Sequence, residues 1–289
     1  MAVLGWSPGV TAQWPEFPDP NAPRDAEGRV RMDAPPPRMP DGRPDFSGLW
    51  MRAASGPPPP EGRGRGRGRG GGGGEIPVER FPFDPDGPPV ATFGNAGANM
   101  DGGLPFTPWA QELKDARSAL RNRDNPDANC LPMGFLQFHL QPQPRKIIQT
   151  EKMILIEYEA NYGIRHIYLD GRELPPQGEP QPWWYGYSVG RWEGDDLVIE
   201  TNNLRGAEDS EFDGWLDVNG SPYSNQARFV ERFRRPAFGH LQIDLTVDDP
   251  KAYTRTWTVR LDQRLLPDQE LIEAICNENQ QFRRRIEID

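Results

Sequence analysis

From Arg145 onward, apolar and polar residues alternate with a period of two. The runs are "RKIIQT", "KMILIEYEA", "GIRHIYLDG", "YGYSVGRW", "DLVIETNN", "ARFVERFRR", "HLQIDLTVDD", "YTRTWTVRLD" and "ELIEAICNE". Each is rich in β-branched and aromatic residues, and turn sequences such as "ANYG", "LDGR", "WEGDD" and "DDPKAY" separate them. About eight or nine strands, roughly ten residues apart, predict a mainly β chain. The expected form is an antiparallel meander closing into a calycin/lipocalin-like barrel, with a sandwich as the alternative. No internal repeat is evident, which disfavours a propeller or solenoid.

Ahead of these runs the period changes. In "FTPWAQELKDARSALRNRDNP", Thr107 can cap a helix, Pro108 suits its first position, and Trp109, Leu113, Ala116 and Leu120 recur at helical spacing before Asn125 and Pro126. "GFLQFHLQP" reads as an aromatic loop that puts His139 at a barrel mouth. Most of the 33 prolines lie earlier still, in sequence too poor in apolar residues to offset the entropy of ordering. Residues 1–44 therefore read as the N-terminus of an exported protein without order of its own. Residues 45–103 read as an extended arm, and 104–289 as a helix plus barrel domain. Within the arm, "RPDFSGLW" offers Phe46, Leu49 and Trp50 as an apolar plug able to dock as a first strand. The tract "EGRGRGRGRGGGGGE", with Arg63, Arg65, Arg67 and Arg69, reads as a flexible linker.

The stretch "PWWYGYSVGRWEGDDLVIETNN" concentrates aromatic rings. Strand alternation sends Tyr185, Tyr187 and Val189 one way, and Trp184, Gly186, Ser188, Gly190 and Trp192 the other. The second set would leave a shallow trough between two tryptophans. Core or barrel-corner packing is one reading and a ligand platform the other. Because Trp183 and Trp184 are adjacent, the pleat sends one of them out of the core. The candidate ligand-binding residues are Trp183, Trp184, Tyr187, Trp192, His139, Arg232 and Trp215.

The chain has three histidines. His166 lies mid-strand in "GIRHIYLDG". If its face is inward, near Tyr158 or Tyr162, it could serve as a general acid or base, with Arg165, Glu200 and Tyr158 in support. A hydrogen-bonded structural histidine is the alternative. Asp209, Glu211 and Asp213 in "DSEFDGWLDVNG" follow the opening of a calcium loop, but Gly220 stands where the last carboxylate ligand belongs. No metal and no cofactor are therefore expected. Nucleotide, zincin, Rossmann and serine-hydrolase fingerprints are missing from the sequence.

A net charge of -10 and a pI of about 5.0 argue against nucleic acid as a partner, and no apolar run is long enough to span a membrane. The start, "MAVLGWSPGVTA", looks like the tail of a secretory signal, or a plain disordered terminus. Cys130 and Cys276 pair if the protein is exported and are buried thiols otherwise.

"RPDFSGLW", "YSVGRWEGDDLVIETNNL", "ERFRRPAFGHLQIDLTVDDPKAYTRTWTVRLDQRLLPD" and "ELIEAICNEN" together resemble a broad group of secreted and periplasmic bacterial β-rich proteins with no assigned reaction. The resemblance implies export, a β-rich domain and a Cys130 to Cys276 disulfide. The leading expectation is a periplasmic or secreted barrel that binds a small-molecule or glycan-like ligand in an aromatic-lined pocket. Two alternatives stay open. One is a lyase, isomerase or hydrolase of small molecules on the same scaffold. The other is an envelope or assembly protein that forms a homo-oligomer through its N-terminal arm.

Overall fold

The computed structural model describes residues 17–53, 81–82, 84–160 and 163–276. The signal-like start, the Arg/Gly tract, Tyr162 and residues 277–289 lie outside the described residues. Nine strands form one closed barrel in chain order: β1 Gly48–Arg52, β2 Arg145–Gln149, β3 Met153–Tyr158, β4 Gly163–Tyr168, β5 Tyr187–Glu193, β6 Asp196–Asn202, β7 Arg228–Ala237, β8 His240–Asp248 and β9 Trp257–Leu265. The ring closes where Trp50 of β1 pairs with Leu265 of β9. Leu49 and Trp50 of the expected plug thus belong to the wall, and residues ahead of them pack against the β7–β8 turn. Phe238 and Gly239 donate backbone hydrogen bonds to Ala34 and Met32.

A ring with an odd number of strands cannot alternate direction all the way round. The exception here is β4 and β5, which run parallel through Ile167↔Ser188 and Tyr168↔Val189. Parallel neighbours need a crossover rather than a hairpin. The proline-rich segment 169–186 provides it and is fixed to the end of β6: Asn203 Oδ1 accepts from Gly178 and Glu179, and Asn202 Nδ2 donates to Pro175 O.

Period-two patterning places Ile154, Ile156 and Tyr158 of β3, Leu197, Ile199 and Thr201 of β6, and Phe229, Glu231 and Phe233 of β7 inside the barrel. One end of the bore is filled by Phe46, stacked 5.7 Å from Trp192 and edge-on to Phe233. Into the other end runs α2 (Phe135–Leu140), a single helical segment all six of whose residues are buried. So short a helix has no stability of its own. The aromatic loop expected for "GFLQFHLQP" is thus a helix without a one-sided apolar stripe, since inside a barrel every side of a helix meets wall.

The helix α1 (Pro108–Ala119) has its predicted cap, with Thr107 Oγ1 accepting from Ala110 N at 3.3 Å. It buries Ala110 and Arg117, while Ala116 and Leu120 are exposed, because its inner face is set by Arg117 and not by the apolar spacing. "ELIEAICNE" forms no strand up to Cys276, the last described residue. β1 already closes the wall against β9, so no edge is left for it.

Cys130 and Cys276 are disulfide-bonded, with Cα atoms 5.5 Å apart and a sequence separation of 146. The link ties the approach to α2 to the chain beyond β9. In the chain-entropy model, closing a loop of this length contributes at most about 5 kcal/mol. Replacing both cysteines by serine is expected to lower the urea unfolding free energy by about 3 to 5 kcal/mol; an unchanged midpoint would contradict that role.

Candidate functional site

Four strands deliver one polar group each to the centre of the bore. Arg165 from β4 forms a doubly hydrogen-bonded ion pair with Glu231 from β7, Nη1 lying 3.1 Å from Oε1 and Nη2 bonding Oε2. Ser188 of β5 accepts from Arg165 Nε at 3.2 Å, and Thr201 of β6 from Nη2 at 2.9 Å. The guanidinium lies 4.0 Å over the Phe135 ring of α2. Arg145, at the start of β2, binds the last carbonyls of α2, reaching His139 O at 3.1 Å and Gln141 O at 3.2 Å, where cationic donors complement a helix C-terminus.

His139 Nε2 sits 3.3 Å from Glu231 Oε1, near enough for attraction but without hydrogen-bond alignment. Burial dominates its chemistry and lowers its pKa to about 4, although Glu231 pulls the other way. Burial alone would raise Glu231, but the Arg165 charge, with help from His139, holds it at about 2. The Tyr158 hydroxyl is pushed up to about 12 by burial, against the charge of Arg165. His139 Nδ1, Tyr158 Oη and Gln137 Oε1 are buried without a well-formed hydrogen bond.

Above α2 lies the barrel mouth, built from the loop that joins β6 to β7. Arg117 of α1 pins this loop by donating to Gly214 O at 3.0 Å and Asp213 O at 2.8 Å, with its charge 4.2 Å over the Trp215 ring. The loop crosses itself so closely that a Cβ on Gly206 would lie 1.9 Å from Asn225 N, a position only glycine can fill. Between loop, crossover and the entry to α2 is a recess of about 10 Å³, lined by Trp184, Arg205, Phe212, Asp213, Trp215 and Tyr223. Trp184 stacks 4.2 Å from the Arg205 guanidinium, and Arg205 bonds Asp213 Oδ2 at 2.9 Å. The other Asp213 oxygen and the Trp215 indole nitrogen are buried and have no hydrogen-bond partner among the described residues. A wider cleft of about 460 Å³ opens elsewhere on the surface, between Pro85 to Val90, Asn99 to Asp101 and Arg255 to Thr258.

The predicted site residues therefore separate into four places. Arg165, Tyr158 and His139 meet in the bore. Trp184 and Trp215 meet at the mouth, together with Asp213. Trp183, Tyr187 and His166 lie on the outer face, and Trp192 plugs the far end. The expectation of His166 facing inward is not met: it is exposed, because β4 turns Gly163, Arg165 and Ile167 inward. Glu200 is likewise on the outer face, paired with Arg191, and Arg232 is bound there to Glu193 at 2.6 Å and Asp196 at 3.0 Å.

The trough beneath the aromatic stretch is filled. A Cβ on Gly190 would lie 2.6 Å from Leu169 Cδ2, and Gly186 with φ +68° breaks the alternation, so Tyr185 turns toward Phe138 and Tyr158. Of the calcium candidates, Glu211 is exposed, Asp209 accepts from Gly206 N at 2.7 Å, and Asp213 has Arg205 as its cation. Among the described residues no group of three or more potential metal ligands gathers.

Ser188, Thr201, Arg205 and Tyr223 complete these sites without having been predicted for them, and Glu231, whose carboxylate on an apolar strand left a solvated face and a polar cavity both open, proves to face the cavity. Comparison with protein-family models, with curated proteins and with solved structures gives no match.

Two outcomes follow from the bore. Glu231→Leu leaves Arg165 buried and uncompensated and is expected to cost about 3 to 5 kcal/mol, measured by urea unfolding. His139 has a folded pKa below its ordinary 6.5, so the unfolded chain binds the extra proton first. Stability should fall by about 3 kcal/mol as pH drops from about 6.5 to 4. The Glu231 contribution persists to lower pH and is lost from about 4.5 down to 2. His139→Gln should flatten the first window and leave the second.

Proposed function

We propose that the protein binds a small hydroxylated ring compound, glycan-like in its chemistry, at the barrel mouth and outside the cytoplasm. The observation that carries this reading is the pair of buried, unpartnered atoms, Asp213 Oδ1 and Trp215 Nε1, in one aromatic-walled recess beside Arg205. A carboxylate, an indole donor and a guanidinium suit neighbouring hydroxyls, and the Trp184 face suits the apolar side of a ring. The bore is a poorer candidate because α2 occupies it.

The recess holds about one water as it stands. Entry of a ring requires Trp184, half-buried on the crossover, to swing off Arg205. The disulfide supports an oxidising compartment, periplasmic or extracellular. Among the described residues no helix is long and apolar enough to cross a membrane.

A second reading, catalysis, is favoured by one observation: His139, with a pKa of about 4, is neutral at pH 7, and its Nδ1 has no hydrogen-bond partner among the described residues. It ranks lower because the ring is sealed from solvent.

Titrating the protein with a panel of mono- and disaccharides and other hydroxylated rings should shift tryptophan emission for at least one compound. Asp213→Asn and Trp184→Ala should each weaken that binding about tenfold or more. Binding that survives both changes would refute the mouth as the site.

A further inference from the structure

Among the described residues, one stretch of the β9 edge pairs with nothing. Backbone groups of β9 that point away from β8 are met in turn: Asp262 O accepts from Ala53 N at 2.8 Å, Arg260 N donates to Pro89 O at 2.9 Å, and Arg260 O accepts from Ala91 N at 2.9 Å. Ahead of β9 the chain is covered again, where Thr254 N donates to Pro105 O at 2.8 Å and Thr107 N to Ala252 O at 2.9 Å. Thr258 stands between. By the alternation of an antiparallel ladder it shares the outward edge of Arg260, yet neither its N–H nor its C=O bonds a described residue on that side. The surface cleft of about 460 Å³ lies on this gap, lined by Arg255, Trp257 and Thr258 together with Pro85, Pro88, Pro89 and Asn99. Its walls are fixed: Asp84 binds Arg260 at 2.9 Å, and Asn99 Nδ2 donates to Val90 O at 2.7 Å. The prolines that line it have no N–H to give the edge. Arg255 is exposed and has no carboxylate partner among the described residues, and Trp257 Nε1 is buried without a hydrogen-bond partner there.

We infer that this edge is a docking site for an extended peptide, which adds a short strand beside Thr258. Backbone complementarity selects this occupant. A strand edge offers a donor and an acceptor in fixed register, and an amide chain presents the matching pair. Pro89 to Ala91 do this two residues further along, as a parallel neighbour of Arg260, so the edge accepts an added chain. The open stretch from Arg255 to Thr258 is about 13 Å long at strand spacing, which seats about four residues. Arg255 suits an acidic residue of the peptide, and Asp101, exposed in the lining, a basic one. The cleft and the mouth recess share no lining residue, so the inference does not depend on the ring-compound reading. An exposed edge also invites a second copy of the chain, which is the competing occupant.

The test is amide hydrogen exchange of the full chain, read at Thr258 with the bonded Arg260 amide as reference, alone and with a pool of blocked hexapeptides. The pool alternates Val or Thr with Glu or Lys, and a control pool is N-methylated at all internal amides. The inference expects the Thr258 amide to exchange fast in the chain alone and to slow about tenfold or more with the pool, but not with the N-methylated pool. Arg255→Ala should weaken the protection given by Glu-containing peptides about tenfold. No protection by any peptide overturns the inference, as does equal protection by both pools. Protection of Thr258 before any peptide is added also overturns it: where it grows with protein concentration the edge belongs to a second copy, and where it does not, to another part of this chain.

Discussion

The buried pair between Arg165 and Glu231 is the constraint around which the barrel is arranged. Two charges removed from water are tolerable only with close geometry and with their remaining hydrogen-bonding capacity met. Here β4 and β7 hold the charges, β5 and β6 add Ser188 and Thr201, and Phe135 of α2 closes the guanidinium's open face. Those demands fix the relative positions of four strands and the depth to which α2 enters. An all-hydrocarbon bore would be easier to desolvate, but it would specify no single seat for a helix of six residues. The polar centre therefore acts as a register mark for the plug, and Arg145 at the helix C-terminus secures its other end.

The wall was legible because strand alternation is a local property. Eight runs from Arg145 onward became β2 to β9, and the plug divided, Leu49 and Trp50 entering β1 while Phe46 fills the end of the bore. Which face turned inward was not legible for β4. "GIRHIY" offers Ile164 and Tyr168 on one side and Ile167 on the other, and the decision belongs to its neighbours, since Arg165 stands opposite Ile156 and Ile167 opposite Ile154. Choosing the wrong face moves His166 inside and Arg165 outside together, since a strand cannot exchange one side chain without exchanging all. The helix α2 was hidden for a related reason: amphipathic periodicity reports a helix between core and solvent, and this one touches no solvent.

The aromatic stretch from Trp183 to Trp192 belongs neither to the core alone nor to the surface alone. Gly186, in the left-handed region, resets the chain between Trp183 and Tyr187. One run of rings can then face three ways: Tyr185 into the bore, Trp184 to the mouth, and Trp183 with Tyr187 outward. The mouth itself depends on residues far apart in sequence, with Arg117 of α1 holding the loop that carries Asp213 and Trp215. No local pattern could have joined them.

Parity has a consequence for where such surfaces can arise. An eight- or ten-stranded ring could be stitched throughout by hairpins, and the eighteen residues from Leu169 to Gly186 would have no topological job. Nine strands oblige one parallel pair, and its placement between the consecutive strands β4 and β5, with the closure of β1 on β9 left antiparallel, makes a long return path obligatory; that detour is what carries paired tryptophans to the rim of the cylinder. Shortening the connection to tidy the fold would erase the one stretch of chain that addresses both the flank and the opening.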